Sequence, residues 1–374
     1  MKAYLDNGAT TQVSKGVQRE MQKYFSKEYG NASSVHQFGR NARKALEESR
    51  KTIAQKIGAL PEEIVFTSGG SEANNLALKG IAFALREKGN HIITTQIEHP
   101  SVLETCQFLE KRGFEVSYLK VNAEGIVDLE TFKNALSEKT ILVSIMHANN
   151  EIGSIQPIET IAEICQSKGI AFHSDCVQSL GKIPINVQKI PANLLSFSAH
   201  KLHGPKGVGA LFVRKGTSLE KQILGGHQEY NKRAGTENVT GIAGFAQAVK
   251  ELNEKDCKKM KLLRNKLVEG LEKIPDVKLN GPCEKRLCNN ASISFQGIEG
   301  EGLLLKLDAK GIAVSTGSAC SSQSLQPSHV LLAIGLSHER AHGTIRYTLS
   351  KFTTAKEISY AIKETKKAVQ ELRA

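Results

Sequence analysis

Tryptophan is absent from the 374 residues, and aromatic side chains together make up only 5%. Surfaces that bind nucleic acid by stacking need aromatics interleaved with basic residues, and no such motif occurs, so nucleic acid is not the expected main ligand and no direct DNA binding is expected. No stretch approaches the ~18 consecutive apolar residues of a membrane helix. Residues 1–7 (MKAYLDN) are too short and polar for a secretory signal, which makes the expected compartment cytoplasmic, with no membrane partner. Seven cysteines, an odd number scattered along the chain, speak against a disulfide scaffold and for reduced thiols. Cys283 and Cys288 are separated by four residues rather than two, and His200 and His203 have no nearby cysteines, so no structural metal is expected.

What is present is ordinary globular composition, 40% hydrophobic and 24% charged, long enough for two or three domains of ~100–200 residues. The net charge of +12 is spread along the chain. Its densest group, at 255–266, has helical apolar spacing at Met260, Leu263 and Leu267, so its lysines read as the solvated face of a helix. Such a basic surface can still attract an acidic protein or tRNA.

Seven β-rich runs, at 64–67, 91–95, 114–119, 141–146, 170–175, 194–199 and 208–213, alternate with amphipathic stretches such as 72–88 and 158–167. That alternation predicts an α/β fold with a mostly parallel seven-stranded sheet covered on both faces. The last two runs are joined too tightly for a parallel crossover, which predicts one antiparallel edge strand. A long charged helical segment, about 238–273, leads to further strands at 290–295, 312–315 and 344–349. The reading is a large domain at 15–250 and a smaller α/β domain made of 1–14 with 251–374, carrying a Ser/Gly-rich mobile loop at about 315–328.

Residues with chemistry to offer fall at strand ends. Lys201 follows the strand at 194–199 in SFSAHKLHGPKG. An amine held between apolar strands loses hydration and becomes able to form an imine with an aldehyde, which makes pyridoxal phosphate one candidate partner. Taken alone it is still one of 50 basic residues. TSGGSE at 67–72 lies between a strand and a helix, where it either caps the helix or cradles a phosphate; it lacks P-loop spacing. Asp175 ends a strand and either caps the next segment or faces a pyridine nitrogen. Its neighbour Cys176 points to the other face and reads as core. His99, after the strand at 91–95, is a structural histidine or a proton carrier stacked on a ring. HANNEIG at 147–153 adds a fourth polar turn at the same sheet edge.

In this order the clusters resemble the fold-type I pyridoxal-phosphate enzymes, and more closely the cysteine desulfurases of the NifS/IscS type. The likeness runs through LDNGATT at 5–11, YGNASSVH at 29–36, FTSGGSEANN at 66–75, EHPSV at 98–102, HANNEIG at 147–153, HSDCVQ at 173–178, SFSAHKLHGPKG at 196–207, RAGTEN at 233–238 and STGSACSS at 315–322. It implies pyridoxal 5'-phosphate held as an imine on Lys201, with Asp175 on the ring nitrogen, His99 stacked on the ring, and Asn150 and Gln178 on the phenolic side. Gly70, Ser71, Ser198 and His200 would hold the phosphate, joined by Thr236 from the second subunit of a homodimer, and Arg346 would grip the carboxylate of L-cysteine. Cys320, on residue type alone a small buried side chain, becomes the thiol that takes the sulfur as a persulfide and leaves alanine. Lys201, Cys320 and His99 are then the catalytic residues.

The resemblance implies delivery of sulfur to iron–sulfur scaffold proteins or other acceptors, including tRNA thiolation, with Cys320 a possible transient iron–sulfur ligand. Selenocysteine lyase or aminotransferase activity on the same fold is the alternative; the loop cysteine speaks against a transaminase, which needs no thiol. Four positions depart from the usual pattern: Gly8 for alanine, Ser71 for threonine, Cys176 for a small residue or threonine, and His203 for tyrosine. Ser71 keeps the hydroxyl that a phosphate site needs.

Overall fold

The computed structural model describes residues 1–316 and 327–374. In chain order its strands are β1 (Ala3–Tyr4), β2 (Ile64–Thr67), β3 (His91–Thr95), β4 (Glu115–Leu119), β5 (Thr140–Ser144), β6 (Ala171–Asp175), β7 (Leu194–Ser198), β8 (Gly209–Val213), β9 (Val277–Leu279), β10 (Asn290–Phe295), β11 (Ile312–Ala313) and β12 (Thr344–Thr348). Seven of them form one sheet in the order β2-β8-β7-β6-β5-β3-β4, with β10 flanked by β12 and β9 in a second sheet and β1 paired with β11.

Every strand of the large sheet is buried along its length except β4 at one edge. A sheet with helices on both faces demands this, since neither face meets water. Strand alternation divides the side chains between two cores: in β8, Ala210 and Phe212 enter one core with the helices Gln37–Ile57, Ile158–Ser167 and Val239–Lys250, while Leu211 and Val213 enter the other with the helix Gly70–Ala84. The second sheet has its own core, built from Ala291, Ile293 and Phe295 of β10 and Ile345 and Tyr347 of β12, with Leu5 and the helices Glu254–Leu271 and Ala355–Arg373. Arg346 lies between two of those core residues and therefore faces away from this core.

β8 is antiparallel, but it is not the edge strand expected from the short connection: it lies between β7 and β2, antiparallel to both. β2, first in sequence, pairs outside it, a non-local choice that the 194–213 segment cannot reveal. The expected long helix at 238–273 is two helices, Val239–Lys250 and Glu254–Leu271. Asn253 ends the continuity by accepting from the Asp256 N–H as an N-cap, an alternative to helix hydrogen bonding that asparagine offers.

β2 leaves one edge open, and a buried ion pair covers it. Arg50 donates to the Ile64 carbonyl at 2.6 Å and to Glu229 at 2.7 and 2.9 Å, while Glu229 accepts from the Phe66 N–H at 2.7 Å. Glu229, Tyr230 and Asn231 hold φ of 49°, 55° and 61°, a left-handed turn of non-glycine residues that costs about 1–3 kcal/mol per residue and needs an anchor. Both charged side chains are 2% exposed, so loss of one partner strands the other. Glu229→Ala is expected to lower unfolding free energy in urea by about 3–5 kcal/mol. A loss below about 1 kcal/mol, the range of a surface pair, would show that the pair does not hold this turn.

Candidate active site

Because β2, β3, β5, β6 and β7 run parallel to one another, their carboxyl ends share one rim, the side where open α/β sheets bind ligands. A cavity of about 340 Å³ opens there. It gathers Gly70 and Ser71 after β2, His99 after β3, Asn150 after β5, Asp175 at the end of β6, Gln178 beyond it, Ser198 at the end of β7, and His200 and Lys201 after it. Arg346 reaches it from β12.

Lys201 sits in the 3-10 turn Ala199–Lys201 that directly follows β7. Its Nζ donates to the carbonyl oxygens of Gly8 and Ala9 at 2.6 and 2.7 Å. The Gln178 side chain donates to the same Gly8 carbonyl at 3.2 Å. Segment 5–11 is thereby stitched to the rim, and it is tied on its other side to β12 through Gly8 N–H donating to Thr348 Oγ1 at 2.6 Å and Asn7 to the Thr348 carbonyl at 2.8 Å.

Asp175 accepts from the Val177 N–H at 2.9 Å and from Asn74 Nδ2 at 2.8 Å. Asn74 also donates to Ser101 Oγ at 2.8 Å, and Ser101 Oγ lies 2.8 Å from His99 Nδ1. The Ser101 N–H donates to that same nitrogen at 3.1 Å, which assigns Nδ1 as acceptor and places the proton of the neutral ring on Nε2. Burial lowers the pKa of His99; the positive charge of Lys201 adds to this and the carboxylate of Asp175 opposes it. His200, bonded to Thr10 Oγ1 at 3.1 Å, is held down to about 4 by burial and by Lys201 and Lys206. Neutral imidazoles therefore surround a fixed carboxylate and an amine.

At the β2 end, the helix Gly70–Ala84 starts from Gly69, which supplies no side-chain cap. The first-turn N–H groups keep their capacity for an anion, and Ser71, Ser198 and His200 line the same cavity. A Cβ on Gly70 would come within 2.7 Å of Val177, so only glycine leaves this cradle its shape. Glu72 is drawn away, accepting from the Ser68 N–H at 2.7 Å and pairing with Arg233 at 2.8 Å. Opposite, Arg346 donates to Asp6 at 3.0 Å and to the Asn150 carbonyl at 3.2 Å, while its buried Nε has no hydrogen-bond partner among the described residues.

Thr236 does not join the cavity: it is exposed, between Arg233 and the helix Val239–Lys250. Cys320 lies outside the described residues. Cys176 is fully buried in the core of the large sheet, and His203, at φ 68°, donates through Nδ1 to the Gln12 carbonyl at 2.8 Å and packs edge-on against Phe352. Asn74 and Ser101 went unread as site residues. Their signal was available: Asn74 is four residues after Gly70 on one helix face, and Ser101 is two residues after His99. The carbonyls of Gly8 and Ala9 carry no residue-type signal, since any backbone supplies them.

Residues 3–360 match the family model described as Aminotransferase class-V. The chain is 52% identical over 377 residues to the "Cysteine desulfurase IscS" of Dictyoglomus turgidum, an alignment that covers 100% of this chain and 95% of that protein. Its structure is similar to a solved "NifS-like protein", with a TM-score of 0.93 and 41% identity over 99% of this chain and 100% of the other. It is also similar to a structure titled "SspA in complex with cysteine", with a TM-score of 0.85 and 37% identity over 94% and 100% of the two chains. With the strand-end residues gathered around Lys201 and a full-length match of this kind, the chain belongs to the class-V aminotransferase family, in its cysteine desulfurase branch of pyridoxal-phosphate enzymes.

Proposed function

We propose that this chain converts L-cysteine to L-alanine and passes the sulfur to acceptors through a persulfide on Cys320. The observation that carries the reading is the convergence of Lys201, Asp175, His99 and Arg346 on one cavity beside a helix N-terminus without a side-chain cap.

The donor set fits pyridoxal 5'-phosphate. The first turn of the helix Gly70–Ala84, with Gly70, Ser71, Ser198 and His200, suits the phosphate; Asp175 suits the ring nitrogen; Asn150 and Gln178 suit the phenolic side; Lys201 suits the aldehyde. When bound, the cofactor supplies a carbonyl for amine exchange and a ring that takes up electrons as substrate bonds rearrange.

The chain's own residues do the rest. Asp175, fixed by Asn74 and the Val177 N–H, would favour a proton on a facing pyridine nitrogen. Lys201 moves protons at the substrate's carbon atoms, and His99, with Nε2–H available and Nδ1 occupied, passes them on. Arg346, which lines the cavity, binds the substrate carboxylate, a planar cation matched to a planar anion. The Cys320 thiolate attacks the substrate sulfur: an S–S bond forms, the C–S bond breaks, and its electron pair with a proton ends on the alanine methyl group. Support for this placement comes from the residues on either side. Ser315 pairs with the backbone of Arg346, and His329 lies 3.1 Å from the Glu98 carbonyl, so both flanks of 317–326 start beside the cavity.

The reading includes a homodimer in which Thr236 completes the phosphate site of the other copy. Exposed apolar side chains support it: Tyr29 at 65%, Val35 at 88% and Leu224 at 74% exposure want a cover. It also assigns 15–250 to the large domain and 1–14 with 251–374 to the small one, in keeping with the separate cores of the two sheets. Acceptors are proteins of iron–sulfur assembly and/or tRNA thiolation, and the setting is cytoplasmic; no helix among the described residues is long and apolar enough to cross a membrane.

Cys320→Ala is expected to keep the cofactor absorbance and its shift with L-cysteine while releasing no sulfide; undiminished release would move the nucleophile elsewhere. Arg346→Lys should raise KM for L-cysteine by roughly 10- to 100-fold, the loss of a charged hydrogen bond of about 1.5–3 kcal/mol, with the absorbance retained. An unchanged KM would remove Arg346 from substrate binding.

A further inference from the structure

Alternation gives the smaller sheet a second face, opposite its core, that carries Asn290, Ser292 and Ser294 of β10 and, across the ladder, Arg346 and Thr348 of β12. Residues of this kind suit a solvated face, yet all five are buried. Buried polar groups need partners, and Asn290 and Arg346 find theirs in the turn 149–153, which follows β5 and brings Asn150 to the cavity.

The turn spends its N–H groups on itself. Asn149 accepts from the Glu151 and Ile152 N–H groups through its side-chain oxygen at 2.8 and 3.0 Å, and from the Gly153 N–H through its carbonyl at 3.1 Å. Four consecutive carbonyls are left to face the smaller sheet. That of Asn150 accepts from Arg346 Nη1 at 3.2 Å, Glu151 from Asn290 Nδ2 at 3.0 Å, Ile152 from Arg286 Nη2 at 2.8 Å and Gly153 from the Leu287 N–H at 2.9 Å. Asn290 Nδ2 also reaches the Asn150 carbonyl at 3.5 Å, and its Oδ1 accepts from Arg286 Nη2 at 3.2 Å. Arg286 is buried and donates on its other side to the carbonyls of Asn280 and Pro282 at 3.3 and 3.0 Å, so its planar fork fixes where all these oxygens lie. Gly153 permits the close approach: its φ is 76°, and a Cβ there would come within 2.9 Å of Asn290 Oδ1.

We propose that Arg286 and Asn290 are positioning residues for the cofactor site: they fasten the backbone of the turn 149–153 to the smaller sheet and thereby set where Asn150 stands against the phenolic side of pyridoxal phosphate. Neither residue lines the cavity, so both act through the turn. Arg346 shares the Asn150 carbonyl, and the same clamp therefore fixes the spacing between the side chain on the cofactor and the one on the substrate carboxylate. The inference rests on the assignment of Asn150 to the cofactor and is independent of the fate of the sulfur.

The test uses the full chain loaded with pyridoxal 5'-phosphate and compares Asn150→Ala, Asn290→Ala, the double variant and Gly153→Ala, which keeps both donors but drives the turn away from Asn290. Cofactor affinity is measured by equilibrium dialysis, the pH midpoint of the bound cofactor's absorbance by titration, and stability by the urea midpoint. A donor on the phenolic oxygen favours loss of the neighbouring imine proton, so a misplaced Asn150 raises the absorbance midpoint. It also weakens cofactor binding roughly tenfold, the worth of about one hydrogen bond to a charged oxygen. The expected result is that Asn290→Ala and Gly153→Ala each reproduce the upward shift and the weaker binding of Asn150→Ala, and that the double variant goes no further than Asn150→Ala alone. Fully additive effects in the double variant, a lowered urea midpoint with absorbance midpoint and affinity unchanged, or an Asn150→Ala protein that matches the unsubstituted chain in both would overturn the inference. Alanine formation from L-cysteine by the unsubstituted chain separates the two readings: the non-additive shift without alanine sinks only the desulfurase reading, and alanine without that shift sinks only this one.

Discussion

The two hydrogen bonds from Lys201 Nζ to the carbonyls of Gly8 and Ala9 join the halves of the active site. One partner follows β7 in the middle of the large sheet; the other is a segment whose opposite side is bonded to Thr348 in β12. Arg346 reaches the cavity across this seam, because β12 is positioned against the rim by the same residues 5–9 that hold the lysine. A backbone carbonyl cannot be exchanged by substitution, so the seam depends on the path of the chain more than on residue type.

Electrostatics then divide the cavity's work. Four histidines near the rim or beneath it, His99, His147, His173 and His200, all have lowered pKa values, and burial is the first cause in each. Neutral rings leave Lys201 and Arg346 as the cationic groups facing Asp175 and any anionic ligand. The chain from Asp175 through Asn74 and Ser101 to His99 fixes the carboxylate and the imidazole together, so changing Asn74 disturbs both side chains at once.

Much of this was legible in the sequence because the large sheet is buried on both faces, so its strands are short apolar runs whose ends are marked by polar residues. β2, β3 and the helix Ile158–Ser167 fall where periodicity puts them. The position of β8 was not legible, since pairing β2 beside it is a contact across about 140 residues that no local pattern encodes. Asn253 marked a break that charge periodicity masked. At the site, side chains with distinctive chemistry were found, whereas Asn74, Ser101 and the Gly8 and Ala9 carbonyls act through hydrogen bonds that become visible only when separate segments meet.

The central claim is that Lys201 is the amine about which this site is built. Borohydride reduction of the cofactor-loaded protein, followed by peptide mapping, tests it directly. The account predicts a stable pyridoxyl group on Lys201 and on no other lysine. A label on Lys182 or on surface lysines with Lys201 unmodified would contradict it.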